Sequence, residues 1–199
     1  MRLFKILLCG DAAVGKTSTR HRYFRGSFTS EYISTIGADF ATTEIPLSSG
    51  DTAKFAVWDI AGQQIFEHMR PAFYNGAAGA FVLYDVTRRE SYENIRNWVS
   101  ELATFHSGLE YFPIVILANK TDLREKVAKS VTTAEGKELA KKLSSEYYSD
   151  TWRVPFLETS AKTGDNVEKA FLTLADAVAA LQEALHAQRL KDAKKARQL

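Results

Sequence analysis

The chain has 199 residues, 45% hydrophobic and 25% charged, the composition of one globular domain with room for a tail. Its single cysteine, Cys9, excludes an intramolecular disulfide and a cysteine-based zinc cage, and a net charge of +2 from 26 basic and 24 acidic side chains is too balanced to predict nucleic-acid binding. The balance conceals an asymmetry: residues 186–199 carry five basic side chains and one acidic, so the tail is about +4 and the rest about −2.

The first residues are basic and then apolar, but the apolar stretch at 6–9 is shorter than the ~7–15 residues of a signal-peptide core, and Asp11 and Lys16 come directly after it. The segment reads as a first strand, 3–9, of a protein expected to be soluble and unprocessed at its N-terminus. No apolar run approaches the roughly 18 residues that cross a bilayer. Further short aliphatic runs at 54–59, 80–85, 114–119 and 156–159 predict buried strands of a parallel sheet. Segments 40–46 and 54–58 flank SSGD at 48–51, a turn signal for one antiparallel hairpin at the sheet edge. Two helical stripes stand out: Ile95, Trp98, Val99, Leu102 and Phe105, then Val167, Phe171, Leu174, Val178 and Leu181. The alternation predicts a doubly wound α/β domain, a six-stranded, mostly parallel sheet with one antiparallel edge hairpin and helices on both faces. We place the domain at 1–181 and a helical, basic tail at 182–199.

Ligands of such sheets sit beyond the carboxyl ends of the strands, so the residues just past each strand carry the information. After the first comes GDAAVGKT at 10–17, a full match to G-x-x-x-x-G-K-[ST]. The chemistry needs this spacing because a compact loop must turn its backbone N–H groups inward around phosphate oxygens. Gly10 and Gly15 permit that backbone, a helix starting near Lys16 adds its positive end, Lys16 reaches the outer phosphates, and the Thr17 hydroxyl can ligate Mg²⁺. The polar, aromatic segment 28–37 is long enough for a mobile loop, and Thr35 could supply a second hydroxyl to the metal. The third strand ends at Asp59, which can hold Mg²⁺, and then comes Gly62, which leaves room for a backbone N–H beside a terminal phosphate. Gln63 carries both an acceptor and a donor, suited to orienting an attacking water.

The fifth strand runs into NKTD at 119–122. The Asp122 carboxylate offers two coplanar acceptors that match the N1–H and N2–H₂ donors of guanine. Adenine would present an acceptor to the same group, a mismatch that a hydrogen-bonding site rejects strongly. The Lys120 stem can cover a face of the base, and Asn119 can tie this loop to the phosphate loop. After the sixth strand, small Ala161 lets its N–H approach a base carbonyl, with Lys162 at the edge. Taken singly, the Asp59 and Asn119 motifs also occur in ordinary turns; together with the phosphate loop they describe one site.

Four motifs in this order resemble the small GTPases of the Ras superfamily, and within it the Rab family, across residues 4–181. The most Rab-like stretches are STIGADF at 34–40, WDIAGQ at 58–63, YDVT at 84–87 and ETSAK at 158–162. The resemblance implies a P-loop GTPase fold that takes GDP or GTP with Mg²⁺ and hydrolyses GTP slowly, with Gln63 and Lys16 as the catalytic pair. It implies phosphate contacts from Asp11, Ala12, Ala13, Val14, Gly15, Lys16, Thr17 and Ser18. It implies metal ligands Thr17, Thr35 and Asp59, a γ-phosphate contact at Gly62, and nucleotide contacts from Tyr32 and from Phe28, which stacks across the base. The guanine pocket would be Asn119, Lys120, Asp122, Ser160, Ala161 and Lys162. Phe40 and Trp58, with Phe73 where a Tyr is usual, look like the aromatic triad that Rab proteins present to effectors. Exchange factors and GTPase-activating proteins would use the two switches. The expected setting is a cytoplasmic monomer acting in membrane trafficking or signalling, with no nucleic-acid partner and at most a weak, electrostatic peripheral membrane contact.

The chain also departs from the family pattern. Ala13 replaces a frequent Gly, and Gln63 precedes Gln64, Ile65 and Phe66 rather than Glu-Arg-Phe, removing two charges from the second switch. The first helix reads TRHRYF at 19–24 where aliphatic residues are usual, and 144–153 is expected to extend a loop. There is no C-terminal cysteine where Rab proteins typically carry prenylated ones, leaving either a protein that works without a lipid or a chain that ends early. Arg189, Lys191, Lys194, Lys195 and Arg197 lie beyond the last stripe, either as a solvated fraying helix or as a contact worth about 1 kcal/mol per cation on an anionic surface. The rival functional reading is a nucleotide-bound scaffold of the same fold that hardly turns over. A P-loop ATPase or small-molecule kinase is disfavoured by residues 119–122.

Overall fold

The computed structural model describes residues 3–28, 35–148 and 152–196; Tyr32 and Arg197 lie outside them. Six strands form one sheet: β1 (Leu3–Cys9), β2 (Ala38–Pro46), β3 (Thr52–Ile60), β4 (Ala77–Asp85), β5 (Ile114–Asn119) and β6 (Phe156–Glu158). Their order is β2-β3-β1-β4-β5-β6, parallel except for the edge hairpin in which β2 runs antiparallel to β3, with Phe40 opposite Trp58. This is the expected sheet, with helices on both faces. The chain steps from β1 to β3 on one side and later to β4 on the other, so the strand order reverses at β1 and opens a crevice above its carboxyl end.

The two faces of the sheet bury separate apolar clusters, because alternate residues of each central strand point to opposite sides. Leu7 and Cys9 of β1 face one cluster with Ile95, Trp98, Val99 and Leu102, from α4 (Ile95–His106), which comes after the short α3 (Arg89–Glu93). Ile6 and Leu8 face the other with Val167, Phe171, Leu174 and Val178, from α6 (Val167–Ala196). Phe105, expected to complete the first stripe, is instead 38% exposed, because it lies edge-on to Tyr74 at the rim, 5.6 Å between ring centroids. Tyr74 closes the short helix α2 (Arg70–Tyr74), which comes after a 3-10 turn over Gln64–Met69. The expected loop at 144–153 is corrected in part: α5 (Thr133–Tyr147) continues through residue 147. Ser144 donates to the Ala140 carbonyl at 2.7 Å and accepts from the Val154 N–H at 3.0 Å, which ties the end of α5 to the segment before β6.

The polar first helix, α1 (Lys16–Arg25), packs through aromatic and ionic contacts in place of aliphatic ones. Tyr23 stacks on Phe171 with centroids 3.9 Å apart, and buried Arg20 pairs with Asp39 of β2. Phe171 also meets Phe81 of β4 at 5.0 Å and is fully buried, so it joins α1, α6 and the sheet. Phe171→Ala should therefore destabilise the domain by about 3–5 kcal/mol, a large share of the roughly 5–15 kcal/mol of a typical domain. Urea unfolding of nucleotide-saturated protein, monitored by circular dichroism, measures it; a loss below ~1 kcal/mol would contradict the packing role.

Candidate functional site

The site forms where the segments after β1, β3, β5 and β6 meet. The loop after β1 curls around its own lysine: Lys16 Nζ donates to the carbonyls of Gly10 at 2.7 Å and Asp11 at 2.8 Å. Burial pushes the Lys16 ammonium down to about 8, while the Asp59 carboxylate works in the opposite direction. Ala13, standing where a Gly is frequent, is held at φ 61, a left-handed backbone that costs a β-carbon residue about 1–2 kcal/mol. Val14 is buried beneath the loop, and Asp11, Ala12 and Ser18 are half-buried around it.

Three oxygen-bearing side chains converge at the mouth of this loop. The Thr17 and Thr35 hydroxyl oxygens lie 3.3 Å apart, and Thr17 Oγ1 donates to Asp59 Oδ2. The other carboxylate oxygen, Asp59 Oδ1, is buried without a hydrogen-bond partner among the described residues, and burial pushes the Asp59 carboxyl up. Two hydroxyls and one under-satisfied carboxylate are hard oxygen donors, the chemistry that suits Mg²⁺ beside phosphate. Thus the three expected metal ligands are brought together although they come from positions 17, 35 and 59.

Gly62 packs directly onto the phosphate loop. A β-carbon there would collide with the backbone of Gly10, Asp11 and Ala12, so glycine is required by that close approach. The next residue, Gln63, starts the 3-10 turn, and its carbonyl accepts from Arg70 Nη2 at 3.3 Å. Arg70 is buried: it donates to Glu101 Oε2 at 2.9 Å and lies 4.0 Å over the Trp98 ring. Trp98 Nε1 donates at 2.8 Å, and Asn94 Nδ2 at 2.9 Å, to the two carboxylate oxygens of Asp11. These groups line a cavity of about 840 Å³ between the second switch segment and α4. The sequence marked Trp98 only as a core residue; its indole N–H, which needs a partner when buried, was the available signal of a second role.

The loops after β5 and β6 form the other half. Asn119 is buried, donating to the Val14 carbonyl at 2.9 Å and accepting from Ala161 N–H at 3.2 Å and Thr159 Oγ1 at 3.3 Å. The expected tie between the two halves is therefore present, with the Ala161 N–H turned to Asn119. Asp122 Oδ1 accepts from Ser160 Oγ at 2.6 Å, and Ser160 Oγ accepts from the Thr163 N–H at 3.1 Å. Lys120 adopts a left-handed backbone, φ 65, and its ammonium pairs with Asp85 at the end of β4, 2.7 Å away. Asp85 carried no sequence signal of that role. Lys162 is exposed at the edge, and Phe28 is 38% exposed.

On the neighbouring surface Phe40 stacks on Trp58 at 4.8 Å and 12°, Phe73 lies 6.3 Å from Trp58, and Lys5 Nζ lies 4.0 Å over the Trp58 ring. Ile36 and Ile65, one from each switch segment, are 83% and 70% exposed.

The geometry joins the glycine–lysine loop, three convergent hard oxygen donors and the loop that carries the Asp122 carboxylate. In agreement, the sequence model of the Ras family matches residues 5–180 of the chain. Members of that family generally bind GDP or GTP with Mg²⁺, hydrolyse GTP, and meet regulators and effectors. The chain belongs to the Ras family: it is a small GTP-binding switch protein.

Proposed function

We propose that the protein is a Rab-like switch that hydrolyses GTP slowly, and that the residues of this crevice carry that reaction. The observation that supports it most is the convergence of Thr17, Thr35 and Asp59 beside the Lys16 loop, with Gly62 against the same backbone. Water attacks the γ-phosphorus in line; a P–O bond to water forms, the P–O bond to the β-phosphate oxygen breaks, and the water protons pass to phosphate and solvent. The Gln63 side chain orients the water, and Lys16 with the loop N–H groups stabilises charge on the β- and γ-phosphates. Mg²⁺, when bound, neutralises charge on the same oxygens. Loss of the γ-phosphate releases Thr35 and Gly62 and so loosens both switch segments.

The Phe40, Trp58 and Phe73 strip, together with exposed Ile36 and Ile65, is the surface on which effectors would read that change, and its composition favours the Rab-like reading. The switch domain is residues 1–181, acting as a monomer in trafficking or signalling in the cytoplasm. The basic extension at 182–199, helical through Ala196, gives it at most a weak electrostatic contact with membranes, through Arg189, Lys191 and their neighbours. Among the described residues no helix is long and apolar enough to cross a membrane.

Single-turnover GTP hydrolysis with Mg²⁺ tests the reading. Gln63→Leu should slow the rate by on the order of 10–100-fold while leaving nucleotide affinity nearly intact, because it removes water orientation but no phosphate contact. A parent protein that does not turn over, or a variant at the parent rate, would favour the scaffold reading instead. Thr17→Asn should weaken Mg²⁺·GTP more than GDP, since the metal matters most when the γ-phosphate is present. Competition binding checks this, and full GTP affinity would remove Thr17 from the metal set.

A further inference from the structure

Arg22 lies six residues beyond Lys16 on α1, and its guanidinium is spent entirely on backbone carbonyls. Nε donates to Ala161 O at 2.8 Å, Nη2 donates to Lys162 O, and Nη1 donates to Gly26 O at 2.7 Å. Ala161 and Lys162 belong to the base-side loop, some 140 positions away in the chain. Gly26 ends α1, two residues before Phe28, and its N–H returns to the Arg22 carbonyl at 3.0 Å. One planar group thus fastens the phosphate-binding helix to both flanks of the base-side half of the crevice. Asn119 makes the inner connection between the same halves, through Val14 O and the Ala161 N–H. Arg22 makes the outer one, so residue 161 is held by its N–H from within and by its carbonyl from without.

We propose that Arg22 is a positioning residue for the nucleotide, one that sets the separation and tilt of the base pocket relative to the phosphate loop. A nucleotide bridges those two subsites at a fixed distance, so an error in their spacing weakens binding even when every direct contact residue is intact. The role needs arginine. A rigid fork addresses three carbonyls at once, whereas a lysine ammonium is a point charge that reaches one or two. Arg22 donates to the carbonyls of Gly26, Ala161 and Lys162, none of them assigned to hydrolysis, so the chemistry of bound GTP is separable from its retention.

The inference rests on residues 119–122 and 160–162 being the base pocket, and the experiment distinguishes the two. GDP binding by the parent protein is measured first; failure there removes the pocket itself. Dissociation of a fluorescent GDP is then timed for Arg22→Met, which keeps the aliphatic stem, and for Arg22→Lys. Arg22→Met should release GDP roughly 10–100-fold faster, and Arg22→Lys should fall between it and the parent. The preference for GDP over ADP should narrow in the same order, while single-turnover hydrolysis of bound GTP stays within about twofold of the parent rate. A general loosening of the fold would slow hydrolysis and leave base preference unmoved. Parental GDP release, or faster release with unchanged base preference, would overturn the proposal. Should Arg22→Met fail to fold, Arg22→Lys decides alone: intermediate release with a narrowed base preference supports the assignment, and parental release refutes it.

Discussion

Asp122→Asn is expected to exchange guanine for xanthine as the preferred base. The native carboxylate accepts at Oδ1 from Ser160 Oγ, and its acceptor pair matches the two N–H donors of guanine. An amide retains one acceptor for Ser160 and turns a donor toward the base. Against guanine that donor faces the N2–H₂ group; against xanthine it faces the carbonyl at C2. One favourable polar contact is lost and one repulsive contact is created in a desolvated setting, so the change should be large. The ratio of xanthine to guanine nucleotide affinities should move by roughly 10³–10⁵. Competition binding of GDP and XDP measures it, and unchanged selectivity for GDP would remove Asp122 from the pocket. The folded state should tolerate the exchange, because Asp122 sits outside the two apolar clusters.

Gly15→Ala is the second large effect expected, and it acts on both halves of the crevice. Gly15 has φ 101, a conformation that an L side chain rarely adopts, and a β-carbon there would overlap Asn119 Nδ2. The strain alone costs about 1–2 kcal/mol. The displacement costs more, because Asn119 is buried and bonded to Val14 O, Thr159 Oγ1 and the Ala161 N–H. Moving it leaves several buried polar groups without partners and separates the phosphate loop from the base loop. GDP affinity should fall by roughly 100-fold or more, as measured by nucleotide dissociation and titration calorimetry. Gly50→Ala provides the comparison: Gly50 has φ 91 at the hairpin turn, with open space around its position. It carries similar backbone strain and should leave GDP affinity unchanged. Equal losses in the two variants would show that strain, not the Asn119 connection, is what the nucleotide feels.

The parts of this molecule that were legible in the sequence are those governed by local pattern. Short aliphatic runs marked the central strands because both of their faces are buried. The loop at 10–17 was legible because close backbone approach to phosphate restricts residue choice at fixed spacing. The meeting of Thr17 and Asp59 was implicit once their segments were placed beyond strand ends, whereas Thr35, in the segment 28–37, was joined to them by its hydroxyl chemistry and the family resemblance. Connections made by long charged side chains were not legible. Arg22 stood out only as a polar residue of the first helix and Arg70 carried no signal, since their partners are carbonyls and carboxylates that leave no periodic trace. Lys120 looked like a cover for the base, and its pairing with Asp85 depends on the β4–β5 register that brings their strand ends together. Phe105 fitted the helical stripe, yet tertiary placement beside Tyr74 left it at the rim. Residues 144–147 were expected to belong to an extended loop, and α5 instead runs through them, with Ser144 tying the helix end to Val154.

In the proposed switch, the γ-phosphate, through Thr35 and Gly62, decides whether the two switch segments are held. Hydrogen exchange of the protein loaded with GDP, or with a non-hydrolysable GTP analogue and Mg²⁺, measures this segment by segment. Amides at 35–37 and 60–70 should exchange markedly more slowly in the GTP-analogue form, while those of β1, β4 and β5 stay alike in both. Equal exchange at 35–37 and 60–70 in the two forms, with both nucleotides demonstrably bound, would contradict the account.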